Sequence, residues 1–591
     1  MIVPELAKTL KQFVAFARPI QTDSEFQVTR KLADDFGKSD IAQKLHNYVN
    51  ERQVKLNNWL TPWWIDYAYL SHRESVISSS PGVILPKLNY QGNKGQVNAA
   101  AKLIQATLSY HHMIAGNLIP AETYRNSPLD MFQFHLMIGT TRIPRHIKDE
   151  LKAGVDRQKW AKHIIVIRNG HAFKLNVYDD ENNIMSLEQL ENCLHNDIVK
   201  NSHQRNPYPL LAGSCGDRET WAKIWTKMEK QNMGQIKELE EALFVVNLDS
   251  LRDDNVSDDE MNSIALNSLT GGGANSNSIN RWFDKTLQIN VGCDGQVTLT
   301  CEHTPMELPP ISQLTEFICT KIQIDFFKRK CGKLSENPVK QLNWQIDEEI
   351  KANLLICMNQ INNLNDSIDV KIHTFSHFGK NFEKHMKLSP DSYIQLALQI
   401  AFYRIHHNHP ATLEAVQLRK FREGRTETIR LPNMTTANFV EKLHDKKTSK
   451  IELSRLLKEA IYSHKQYSNV CSDGLGVDRH LLGLRMAARD LQIESPQIFE
   501  GEAYQKMIHF QMITSQVPSP TRTVMGFIPV HADNYGICYN PREKEIIFFI
   551  TAPKEWKETS AAKLAEELDR ALLDMKSILI DVEPLDHNVK L

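Results

Sequence analysis

Hydrophobic and polar positions follow two different periods along this chain. Residues 164–167 form an apolar run, Asn169-Gly170 follow, and Phe173, Leu175 and Val177 then recur at every second position. Two such arms around a two-residue turn whose members accept positive φ predict a β-hairpin. Leu287, Ile289 and Val291, then Asp294-Gly295, then Val297, Leu299 and Cys301 repeat the device, and the second arm runs out at Glu302-His303. Elsewhere the period is helical. Ser389 as N-cap, Pro390 at the first position and Asp391 at the positive end of the dipole open a segment carrying Tyr393, Leu396, Ile400 and Tyr403. From about Ser560, Leu564, Leu568, Leu572, Met575 and Leu579 make the stripe of a last helix. Interleaved strand and helix patterns predict a mixed α/β protein rather than a bundle or a sandwich.

Over 250–280 the composition shifts to Asp, Asn, Ser and Gly, with Gly271, Gly272 and Gly273 in a row, which reads as a long exposed connection. Three glycines have the freedom to cradle a phosphate. No GxxxxGK[ST] follows them, however, and no GxGxxG opens a helix, so a flexible loop is the simpler reading.

The 591 residues are several times the ~150 of an average domain, so more than one packed unit is expected. Lys plus Arg (70) against Asp plus Glu (71) leave a net charge of −1; no global field draws nucleic acid, and any anion site has to be local. No apolar run approaches the ~18 residues of a membrane span. Nine cysteines without CxxC spacing suggest neither a disulfide framework nor a cysteine zinc site, and fit a reducing compartment. Residues 1–23 lack the apolar core of a secretory signal. The end, Val589-Lys590-Leu591, matches the peroxisomal Ser-Lys-Leu address only in its last two positions, so peroxisome or mitochondrial matrix is the expectation.

For chemistry, His303 at a strand end is a base candidate, with Glu302 and Glu307 near enough in sequence to orient its ring. GxSxG and HExxH are absent, which removes support for serine hydrolase and metalloprotease readings. His406, His407 and His409 suit the negative end of the helix dipole better than a metal, and no metal is expected. Lys380 and Lys384, four apart, offer two point charges to a phosphate or simply form a solvated face. Arg419, Lys420, Arg422, Arg425 and Arg430 make a second basic stretch.

Several segments, in this order along the chain, carry a resemblance: Asn58-Trp59-Leu60, Trp63-Trp64, Ser80-Pro81-Gly82-Val83, Asn280-Arg281-Trp282-Phe283-Asp284-Lys285 and Glu302-His303. Phe378-Gly379-Lys380, Gly424-Arg425-Thr426-Glu427-Thr428-Ile429-Arg430, Asp478-Arg479-His480-Leu481-Leu482-Gly483-Leu484, Thr514-Ser515-Gln516-Val517-Pro518 and Asn534-Tyr535-Gly536-Ile537-Cys538-Tyr539-Asn540 continue it. Together they resemble the carnitine and choline acyltransferase family over nearly the whole chain. The resemblance implies two similar α/β domains of the CoA-dependent, chloramphenicol acetyltransferase-like kind with an active-site tunnel between them, over 58–345 and over 1–57 plus 346–591. It implies transfer of a short acyl group between CoA and carnitine, with acyl-CoA and carnitine as substrates, no bound cofactor, and a monomer.

The roles it implies are His303 as base, Glu307 as its orienting carboxylate and Ser515 as the hydroxyl that steadies the reacting oxygens. Lys380 and Lys384 would hold CoA phosphates; Tyr69, Thr426, Arg479 and Thr514 would hold carnitine; Met525 would close the acyl pocket to longer chains. An arginine and a threonine hydroxyl suit a carboxylate, which carnitine has and choline lacks. Three positions depart from the family pattern: Leu413 replaces a tyrosine that helps hold the carboxylate, Ile513 replaces the first serine of a Ser-Thr-Ser triplet, and Leu308 replaces a glycine. They keep two alternatives open, the same fold with a choline-like or other acceptor, and a weakly active CoA-binding paralogue.

Overall fold

The computed structural model describes residues 1–124, 126–250, 259–323, 332–334 and 336–582; the terminal Val589-Lys590-Leu591 lies outside them. Two mixed sheets carry the architecture. The first has eight strands in the order Val339–Gln341, His171–Asn176, His163–Arg168, Val245–Asp249, Leu287–Gly292, Val297–Cys301, Gly82–Ile84 and Val524–Gly526. The second has six, Ile368–Phe375, Ile546–Pro553, Tyr535–Pro541, Met512–Gln516, Thr412–Gln417 and Thr426–Leu431. Val524–Gly526 leaves the second half of the chain to pair with Gly82–Ile84 at the edge of the first sheet. The two sheets are thereby tied together.

Both predicted hairpins form. In the first, Asn169 and Gly170 turn at φ 49° and 76°. The 164–167 run does not alternate because both faces of its strand are covered: Ile164 and Val166 enter one apolar cluster, Ile165 and Ile167 another. Helices Gly92–Ala115 and Leu308–Gln323 pack on the first face, and Arg218–Gln231, Glu260–Thr270 and Glu348–Ser367 on the other. Ser389 caps helix Pro390–His406 by accepting from the Ser392 amide. That helix and Ala561–Val582 bury the second sheet's other face. Helices near the N-terminus pack against Val477–Asp490.

Of the expected exposed connection over 250–280, residues 251–258 lie outside the described residues, and over 259–280 an exposed connection is not what forms. Glu260–Thr270 is a helix with Ser263, Asn267, Ser268 and Thr270 buried, and the last three find polar partners. Ser268 donates to the Ala265 carbonyl at 2.7 Å, Thr270 to that of Leu266 at 2.9 Å, and Asn267 accepts from Arg281 at 3.1 Å. Composition alone misleads here, since a polar residue with partners sits inside as readily as an apolar one. The three glycines do need their freedom, with φ of 77°, 78° and 91°, and a Cβ on Gly271 would meet Ser278 backbone at 2.6 Å. They form a packed bend rather than a flexible loop.

Candidate active site

His303 stands two residues past the end of strand Val297–Cys301, where the chain turns toward helix Leu308–Gln323. Its Nε2 lies 3.4 Å from Oε2 of Glu307. The other oxygen, Oε1, accepts from Nε of Arg425 at 2.7 Å. The same guanidinium donates to the Thr304 carbonyl at 2.5 Å and to the His303 carbonyl at 3.1 Å. Burial alone would push the Glu307 carboxyl up, but the adjacent charges of Arg425 and His303 outweigh it and hold the carboxyl well below the usual range. Glu307 is therefore an anion within reach of one ring nitrogen. Glu302 is not: it faces Arg142 and Thr304.

Tyr69, at the end of the wide helical turn Asp66–Leu70, presents its ring edge-on to His303 with centroids 5.7 Å apart at 85°. The Arg425 guanidinium lies 5.3 Å from the Tyr69 ring. Burial pushes the Tyr69 phenol far up, so it stays protonated.

Thr426 begins the edge strand of the second sheet directly after Arg425. Arg479, on helix Val477–Asp490, donates from Nε to the Thr426 carbonyl at 2.8 Å and reaches its hydroxyl at 3.4 Å. The guanidinium is 3.8 Å from the centre of the Trp64 ring. A stacked guanidinium beside a hydroxyl is a natural cradle for a carboxylate. Thr426, Arg479, Tyr69 and His303 thus share one neighbourhood, joined through Arg425.

Strand Met512–Gln516 contributes Ser515. Met512 and Thr514 point into the core while Ile513 and Ser515 are half-buried on the opposite face, as strand alternation requires. Thr514 donates to the Leu413 carbonyl at 3.0 Å and accepts from Gln395 at 2.9 Å, so its hydroxyl serves the packing of helix Pro390–His406. Leu413 and Ile513 are register partners on the Ser515 face. Past Ser515, Val517 belongs to the same large apolar cluster as Cys301, Met306 and Met525, and the Ser312 hydroxyl, on the helix that follows the His303 turn, donates to the Pro518 carbonyl at 3.4 Å. Met525, 2 % exposed, faces that cluster. Gly526 opens no space next to it, since a Cβ there would meet the Phe549 ring at 2.3 Å.

Lys380 and Lys384 lie on the short helix Lys380–His385, the first half-buried and the second exposed; among the described residues no carboxylate pairs with either. The second basic stretch divides differently: Arg419, Arg425 and Arg430 are buried against Glu122, Glu307 and Asp478. His406 and His409 turn to separate partners, Tyr535 and Glu441. Among the described residues one trio has metal-ligand types in reach, Asp391, Glu414 and His464, and its atoms are committed to each other and to Ser392 and Tyr539. Burial, with the Asp391 carboxylate beside it, pushes the Glu414 carboxyl well up.

Sequence reasoning missed Arg425 as the partner of Glu307 and Trp64 as the platform under Arg479. The sequence offers Arg425 as one cation of a basic stretch and as a member of the Gly424–Arg430 motif, and its burial against an acid 118 positions away is set by the fold.

The choline/carnitine O-acyltransferase family profile matches residues 2–570. Carnitine O-acetyltransferase of Columba livia is 37% identical over 588 residues, covering 98% of this chain and 92% of that protein. Human choline O-acetyltransferase is 31% identical, covering 99% of this chain and 79% of that protein. Among solved structures, the trichothecene 15-O-acetyltransferase of Fusarium sporotrichioides covers 86% of this chain and 94% of its own at 8% identity, with a TM-score of 0.39.

Proposed function

Because this chain belongs to the choline/carnitine O-acyltransferase family, and so is an enzyme of acyl transfer between CoA and a hydroxyl, we propose that it moves short acyl groups, acetyl above all, reversibly between CoA and carnitine. The observation that carries the mechanism is the division of the Glu307 carboxylate between His303 and Arg425. One ring nitrogen of His303 is held by Glu307, and the other is left to take a proton. As the carnitine hydroxyl loses its proton to the imidazole, its oxygen attacks the thioester carbonyl carbon. The Ser515 hydroxyl donates to the oxyanion that develops. When the carbonyl re-forms, the C–S bond breaks, and the imidazolium returns the proton to the CoA sulfur. Glu307, an anion beside the ring, stabilises the imidazolium in between.

Arg479 and Thr426 hold the carnitine carboxylate in this reading, Tyr69 walls the acceptor side, and Lys380 and Lys384 receive CoA phosphates. Met525 fills the space a longer acyl chain would need. The reacting groups come from both sheets, consistent with a tunnel between the two proposed units, 58–345 and 1–57 plus 346–591. A second acceptor, choline-like or other, is favoured by one observation: the paired apolar side chains of Leu413 and Ile513 on the Ser515 face offer nothing to a carboxylate.

The test is thiol release from acetyl-CoA with L-carnitine, choline and no acceptor in parallel. Release that depends on carnitine and exceeds the other two arms is expected. Faster release with choline, or none with carnitine, would replace the proposed acceptor.

A further inference from the structure

The His303 turn is gripped from two sides, and only one grip belongs to the acceptor wall. Arg142, 1 % exposed on strand Thr141–Ile143, reaches the other side. Its Nη1 lies 3.2 Å from the Thr304 hydroxyl and 3.5 Å from Oε1 of Glu302, the two residues flanking His303. Its Nη2 donates to the Tyr69 carbonyl at 2.7 Å. Its Nε donates to Oδ2 of Asp149 at 2.7 Å. One planar fork thus joins the base's turn to the residue whose ring stands edge-on to the base. Arg425 closes the same pair from the opposite side, at the His303 and Thr304 carbonyls and the Tyr69 hydroxyl.

Arg142 is itself fixed. Asp149 accepts from Arg218 at 2.6 Å and from Arg73 at 3.1 Å, and Arg218 also donates to Asp284 at 2.7 Å. Trp221 donates to the second Asp284 oxygen at 2.5 Å. Three arginines therefore meet Asp149, Asp284 and Glu302 in one largely buried network, with Glu219 beside Arg73 at its outer edge at 3.6 Å. Members of such a network have few alternative placements, because moving one leaves a buried charge without its partner.

We propose that Arg142 is a positioning residue for the transfer reaction: it sets the orientation of His303 against Tyr69 without touching substrate. The proposal rests on His303 being the base. A base displaced by ~1 Å loses on the order of 10²-fold in rate while the binding contacts elsewhere stay as they are.

The experiment compares Arg142→Ala, Arg142→Lys and His303→Ala for kcat and for KM toward acetyl-CoA and carnitine, with and without millimolar guanidinium. For Arg142→Ala a kcat loss of about 100-fold is expected, with both KM values within about two-fold, and guanidinium should restore part of the rate. Arg142→Lys should lose nearly as much, since an ammonium cannot span the same acceptors. Should Arg142→Ala not fold, Thr304→Val removes one anchor and leaves the charge network whole, with the same kcat-only loss expected in smaller measure. Wild-type kcat, a loss confined to KM, or a kcat loss that guanidinium leaves untouched overturns the positioning role. If His303→Ala keeps its turnover, the base assignment falls instead, so the two failures are distinguishable.

Discussion

Arg425 and Glu307, 118 positions apart in the chain, meet through an Nε–Oε1 hydrogen bond of 2.7 Å. The contact fastens the turn carrying His303, at the end of a first-sheet strand, to the residue preceding Thr426 in the second sheet. It also decides which acid serves the base. Two acids flank His303 in sequence, and only the one neutralised by Arg425 turns toward the ring.

Replacing Glu307 by Gln removes the anion that stabilises the imidazolium. A fall in kcat of about 10²- to 10⁴-fold is expected, by analogy with other base-orienting carboxylates. Stability should respond with a definite sign. The folded-state pKa of Glu307 is depressed below its unfolded value of ~4.3, so its contribution is complete above that value and is lost as pH falls below it. Thermal unfolding should show the widest gap between wild type and Glu307→Gln near neutral pH, narrowing once pH falls below about 5 and still narrowing until the depressed folded-state value is passed. A gap that stays constant with pH would mean the carboxylate is not ionised by its surroundings.

Leu413 and Ile513, side by side on neighbouring parallel strands, place two apolar side chains on the face that carries Ser515. Neither side chain can donate to a carboxylate held by Arg479 and Thr426. Leu413→Tyr should lower the KM for carnitine by roughly tenfold, the order expected for one hydrogen bond to a charged group. An unchanged KM would show that position 413 does not border the acceptor.

Lys380 and Lys384 have no acidic partner among the described residues and lie one helical turn apart, as two mobile charges meeting a phosphate would. Removing both charges should raise the KM for acetyl-CoA more than that for its dephospho analogue, and should flatten the salt dependence of binding. Equal effects on the two ligands would leave these lysines as surface solvation.

Met525 pairs with Val83 and belongs to the same apolar cluster as Val517 and Met306, close in sequence to Ser515 and His303 respectively, and Gly526 gives no alternative route because Phe549 fills its side. Wild type should therefore exclude octanoyl-CoA, an insertion costing ~1–3 kcal/mol or more, and Met525→Gly should accept it. Efficient octanoyl transfer by wild type, or no gain in the variant, would take Met525 out of that role.

Much of the framework was legible in the sequence because it depends on local rules. Asn169-Gly170 needs positive φ at both positions, and Ser389-Pro390-Asp391 states a helix start; both formed as read. The face of Thr514 was not legible from its motif, because only the pairing of strand Met512–Gln516 with its neighbours decides which of two adjacent hydroxyls looks inward. The 259–280 part of the polar segment misled because composition does not show the partners that folding supplies: carbonyls one turn back in the same helix for Ser268 and Thr270, and Arg281 for Asn267. Arg142 and Arg425 were illegible as a pair for the same reason: the histidine turn they share is assembled from four separate parts of the chain.

The claim on which the rest depends is that His303 takes the proton from the acceptor. The most direct measurement is carnitine-dependent thiol release by His303→Ala at saturating acetyl-CoA, with CoA binding followed on the same preparation. Release should fall by at least ~10²-fold, the size of a general-base contribution, while CoA binding stays within about two-fold of wild type. A variant that binds CoA normally and keeps more than a tenth of wild-type turnover would contradict the assignment.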